Sequence, residues 1–159
     1  MRERIYLHLV AALLLTGWGC AAVAPPPEAA HPADLVVTML ERHLGQLDAN
    51  VDRLDKQLAD LQKVPETPDP TLREIRALDL SGWQLHQQQL KVQREHFRFA
   101  LEQLRQVKAH PDNKAQLLEQ WTKHEQDYER ALDGLRQQRH QLEQQRHKVE
   151  AQVVERYLR

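Results

Sequence analysis

Large core-building residues are scarce in this chain, which has two phenylalanines, three tyrosines and three tryptophans among 159 residues. That scarcity disfavours a thick globular interior and favours exposed helices that share a narrow apolar seam. Glycine is also sparse, and its five scattered copies build no phosphate-cradling loop. The only serine, Ser81, sits beside Gly82 inside a helical pattern. It therefore lacks the strand-turn-helix setting of a nucleophile elbow. Neither sign of charge dominates: 22 Lys and Arg face 23 Asp and Glu, for a net charge of −1. This balance, with no basic block, argues against a nucleic-acid partner. After the first two dozen residues no stretch alternates apolar and polar side chains with β-branched enrichment, so no strand is expected. What the chain has in quantity is glutamine, nineteen in all, concentrated between Gln84 and Gln145.

The N-terminus has a different character. Arg2 and Arg4 precede the apolar run from Ile5 to Leu15, followed by Thr16-Gly17-Trp18-Gly19 and the single cysteine, Cys20. A charged start, an apolar stretch and small residues make a secretory signal. With Cys20 placed where cleavage should fall, and a small Gly19 before it, the segment resembles the signal of a bacterial lipoprotein; Gly17 stands where such signals usually carry an aliphatic residue. The resemblance implies that residues 1–19 are removed and that Cys20 carries thioether-linked diacylglycerol and an amide-linked third chain. At about 0.8 kcal/mol per buried methylene, several chains hold a protein on a membrane almost permanently. Ala21, rather than an aspartate, follows the cysteine, which implies the outer membrane, facing the periplasm. A lipidated Cys20 leaves no thiol for a disulfide, a CxxC centre or a thiolate metal site. Two other readings stay open. Ala22-Val23-Ala24 fits ordinary signal cleavage, although Pro25 would follow the cut; and Ile5 to Ala24 has the roughly 20 residues that an uncleaved membrane helix needs.

Ala21 to Pro32 reads as a tether, because Pro25-Pro26-Pro27 favours a stiff, extended spacer. Three helical segments are expected after it, over about 33–63, 70–109 and 111–158, divided by the proline-marked stretches 64–70 and 110–112. The first carries Val37, Leu40, Leu44, Leu47, Val51, Leu54, Leu58 and Leu61 at alternating spacings of three and four. Such a repeat makes a coiled-coil seam, and these eight residues are the candidate interaction seam. Asp69 and Pro70 offer a cap for the second helix, as does Thr71-Leu72-Arg73-Glu74 in capping-box form. Ser81-Gly82 suggests a kink there, with Ser81-Gly82-Trp83-Gln84 as a further capping box.

The second helix bears two stripes, Trp83, Leu90, Phe97, Leu104 and Leu78, Leu85, Val92, Phe99. Residues two apart on a helix point about 200° apart, so these stripes call for two partners. The third helix presents Leu118, Trp121, Tyr128, Leu132, Leu135, Leu142, Val149 and Val153, with Glu125, Arg139 and Arg146 at expected apolar positions. At 1.5 Å per residue the three run roughly 45, 60 and 70 Å, which predicts a third helix overhanging its neighbours at Arg136 to Gln141.

Nine histidines raise the question of a metal. The one Glu-x-x-His spacing, Glu28 to His31, falls in the tether, and His140 and His147 lie two turns apart with Glu143 between them. His43, His86, His96 and His124 show no mutual ligand spacing, so edge positions are expected for the histidines and no metal or cofactor is predicted. Trp83, Phe97, Phe99, Trp121 and Tyr128 are expected to pack the thickest part of the bundle near the His110-Pro111 turn.

The expectation is an all-α, elongated three-helix bundle or antiparallel coiled coil following a cleaved signal and a tether. Its function is expected to be non-catalytic: a lipid-anchored envelope protein that contacts another envelope protein, or itself, through helical surfaces. A periplasmic holdase that receives clients on the second helix is the alternative, and metal or small-ligand sequestration a weaker one.

Overall fold

The computed structural model describes residues 32–158. Cys20, the signal and nearly all of the tether lie outside the described residues. The chain is all-α. Helix α1 spans Pro32–Lys63, α2 spans Pro70–Ala109, and α3 spans Lys114–Leu158, preceded by a 3-10 turn at Pro111–Asn113. Among the described residues there is no strand. No described helix is long and apolar enough to cross a membrane.

The ends of the helices follow from local chemistry. Asp69 caps α2: its Oδ1 accepts from the backbone amides of Thr71 at 2.8 Å and Leu72 at 3.3 Å. Thr71 is already inside the helix, so the cap belongs to Asp69, and the Thr71 hydroxyl instead accepts from Arg156 at 2.7 Å. Ser81 caps nothing either. α2 is continuous through Ser81-Gly82, and the Ser81 hydroxyl donates to the Ala77 carbonyl one turn back at 2.9 Å. Before α3, Pro111 tightens the chain into its 3-10 turn, where the Asn113 amide donates to the His110 carbonyl at 3.1 Å.

The helices pack as two compact units. Unit 1 holds the residues up to Gln46 together with Arg94–Asp127. Its core is Leu40, Leu44, Phe97, Ala100, Leu101, Leu104, Leu117 and Trp121, with the polar side chains of His96 and Gln103 also buried. Within this unit α1 and α2 run antiparallel, since Asp34 pairs with Lys108 at 2.7 Å and Glu41 with Arg105 at 2.9 Å. Leu117 is buried, whereas Leu118, the expected seam residue, is half-buried.

Unit 2 holds Leu47–Gln93 and Tyr128–Arg159. Leu47, Val51, Leu54, Leu58, Tyr128 and Val149 are buried there, with Gln93. Here α2 and α3 run antiparallel: Arg146 meets Asp79 at 3.0 Å, Arg156 reaches Thr71, and a Cβ on Gly82 would stand 3.5 Å from Leu142. The expected overhang of α3 is therefore corrected. Its C-terminal part lies along the start of α2, because α2 supplies an acidic partner for Arg146 and a side-chain-free position opposite Leu142. Trp83 is corrected as well. It is 45% exposed and takes no part in the core.

Candidate functional site

The eight-residue seam of α1 faces inward. Leu40, Leu44, Leu47, Val51, Leu54 and Leu58 are buried by this chain's own helices, Val37 is half-buried and Leu61 is 39% exposed. The side chains with unusual chemistry lie elsewhere.

In unit 1, three histidines far apart in sequence gather around an aromatic cluster, one from each helix. His43 of α1 meets Phe97 edge-on, with ring centroids 4.5 Å apart. His96 of α2 is 1% exposed and lies 5.6 Å from Trp121. Its ring stacks parallel to that of His124 of α3, at 5.2 Å and 3°. Phe99 covers the other side of His124 at 3.9 Å. The Glu125 carboxylate approaches His96 Nε2 at 3.7 Å, beyond hydrogen-bond reach. Nε2 of His43 and of His124, and Oε1 of Gln103, are buried with no hydrogen-bond partner among the described residues, while the Gln103 amide donates to Gln120 at 3.3 Å. Burial, and then the nearby His124, pull the His96 pKa down from 6.5 to about 4. Burial also lowers that of His124, against an opposing pull from Asp127. Both rings are thus held neutral at pH 7. The expectation of edge histidines fails at His96.

One sequence signal could have found this cluster. On α2, Gln93, His96, Ala100 and Gln103 fall on the arc of about 160° between the two apolar stripes. A helix packed on both flanks buries whatever lies between them. Ala100, at 0% exposure, shows how close that approach is. Among the described residues no group of three or more His, Cys, Asp or Glu is placed to hold a metal ion. Next to His43, Met39, Leu40, Arg42, Gln46 and Phe97 border a pocket of about 180 Å3.

In unit 2, α2 and α3 form an open cleft of about 240 Å3, lined by Ser81, Gln84, Leu85, Gln88, Gln138, Gln141, Leu142 and Gln145. None of its five glutamines has a partner among the described hydrogen bonds, and no charged side chain lines it. From Arg136 to Lys148 every side chain but Leu142 is exposed. Arg139 pairs with Glu143 of its own helix at 3.2 Å and Arg146 with Asp79 and Glu150, so these two polar residues at expected seam positions carry surface ion pairs. Compared with known proteins, the chain matches no family model, no curated sequence and no solved structure.

Proposed function

We propose that this protein is a non-catalytic, lipid-anchored component of a bacterial cell envelope, held through Cys20 and contacting another protein through the exposed face of α3. The observation that supports this reading most is the cleft in unit 2. Five carboxamides, each with donors and an acceptor, stand unpaired among the described residues beside the apolar floor of Leu85 and Leu142. Such a surface suits a partner helix or extended segment that supplies neutral hydrogen-bonding groups with a small apolar contact. The inward-facing seam of α1 is occupied by this chain, which leaves α3 as the larger exposed helical face.

The test is photo-crosslinking in intact cells from position 141, with position 56 on the exposed side of α1 as the control. A discrete adduct from Gln141 and none from Lys56 supports the reading; equal labelling from both removes it. For the anchor, Cys20→Ser should abolish lipid labelling and release the protein from the membrane fraction. Retained lipid label would overturn the assignment of Cys20.

A second reading, a holdase, is favoured by the exposure of Trp83 at 45% and Leu72 at 52% on α2. It predicts suppressed aggregation of unrelated unfolded proteins, weakened by Trp83→Ala. No suppression would end it.

A further inference from the structure

Of the seven described histidines, those with buried ring atoms are all in unit 1. His43, His96 and His124 surround Phe97, Phe99 and Trp121, and each has a ring nitrogen sealed from solvent. In unit 2, His86, His140 and His147 are exposed. We propose that unit 1 is an acid-operated latch: protonation of the stacked His96–His124 pair opens its core and bares the apolar face formed by Phe97, Leu101, Leu104 and Trp121, while unit 2 stays packed.

The geometry makes the neutral pair a condition of the closed state. Two imidazoles stacked at 5.2 Å cannot both take a proton without like-charge repulsion. The charged and titratable groups facing them are few. α3 contributes Glu125, 3.7 Å from His96, and Asp127 near His124; α1 contributes His43, with Arg42 bordering the same pocket. Glu125, 3.7 Å from His96, and the exposed Asp127 do not remove the cost of placing two cations 5.2 Å apart, one fully buried and one half-buried. Around the rings stand the aromatic faces of Phe97, Phe99 and Trp121.

The direction of the response follows. A histidine whose pKa is about 4 when packed and 6.5 when open binds its proton in the open state first. Packing is therefore fully favoured above pH 6.5 and progressively lost as pH falls from 6.5 towards 4. For His96 alone the opening equilibrium rises by up to about tenfold per pH unit, about 80-fold between pH 6.5 and 4, towards a limit of about 300-fold at lower pH. His124 adds to the effect, because its pKa is shifted in the same direction. Opening would turn a helix face that now packs the chain into one able to receive another apolar helix, which makes contact-making a function of acidity.

The test is hydrogen exchange read by mass spectrometry on the full chain in detergent at pH 7.5 and pH 5.0, with rates corrected for the intrinsic effect of pH. Segment 96–104 should exchange at least tenfold faster at pH 5.0, while segment 51–58 keeps its protection. His96→Gln should remove most of that acceleration. If His96→Gln does not fold at pH 7.5, His124→Gln, at a half-buried position, should reduce it instead. A direct reading in the unmodified protein is the imidazole titration of His96 by NMR, which should show no protonation above pH 5 in the closed state. Unchanged protection of 96–104, equal loss in both segments, or undiminished acceleration in the histidine variant that folds would each overturn the latch.

Discussion

The guanidinium of Arg76 donates to the Leu61 carbonyl oxygen at 2.7 Å, and also to the carbonyls of Val64 and Pro65, at 2.5 and 2.7 Å. A side chain in the second turn of α2 thereby binds three carbonyls where α1 ends, of which that of Leu61 also accepts from the Val64 amide at 3.4 Å. Arg76→Ala should lower stability by about 1–2 kcal/mol, since it removes three charge-assisted bonds at a partly solvated site. Arg76→Lys should recover only part of this, because an ammonium lacks the planar fork. Urea midpoints for the three proteins provide the comparison, and equal midpoints would show the turn to be held by something else.

Gly82 and Leu142 make a second pairing that substitution can probe. A Cβ at position 82 would meet Leu142 at 3.5 Å, an ordinary contact. Gly82→Ala should therefore be neutral or stabilise by up to about 1 kcal/mol through helix propensity. Gly82→Leu must displace Leu142 and should destabilise by about 1–3 kcal/mol. Thermal melts that order the two the other way would refute the close approach of α2 and α3 at this point.

Phe97 and Trp83 belong to the same seven-residue stripe of α2, yet they should behave differently. Phe97 is 2% exposed, and Phe97→Ala should cost about 3–5 kcal/mol. Trp83 is 45% exposed, and Trp83→Ala should change stability by no more than about 0.5 kcal/mol. Denaturant titrations of both variants measure the contrast directly.

Leu54 tests which way the seam of α1 faces. It is 4% exposed within this one chain. Leu54→Asp should unfold unit 2, with a loss of about 3 kcal/mol or more from burying an unpaired carboxylate. A variant that kept its circular dichroism and melting temperature but lost a complex would instead assign the seam to a partner.

Much of the architecture was legible in the sequence. The segments expected at 33–63 and 70–109 are the helices Pro32–Lys63 and Pro70–Ala109, because prolines and the Asp69 cap end helices by local chemistry. The three-four spacing of α1 marked one seam of eight residues, six of which are buried, but not whether the chain's own helices or a partner would cover it. The stripes of α2 were visible too, but which end of each would be covered was not. Trp83 and Phe97 carry the same local signal, and only the neighbours differ.

The histidine cluster was hidden for the same reason. Spacing along one helix can bring together residues three or four apart, whereas His43, His96 and His124 meet because three helices place them at one level of unit 1. Likewise, the length of α3 alone predicted an overhang, but the contacts of Arg146 with Asp79 and of Arg156 with Thr71 lay its end along α2.

What the sequence determined by itself, then, is the helical class, the bounds of the first two helices and the single apolar stripe of α1, all consequences of periodicity and capping within a single segment. The tertiary structure alone decided which polar side chains are buried, that His96 loses its water while Trp83 keeps it, and where five glutamines share a cleft. Desolvation depends on what packs against a residue from elsewhere in the chain, and that information is not local to any helix.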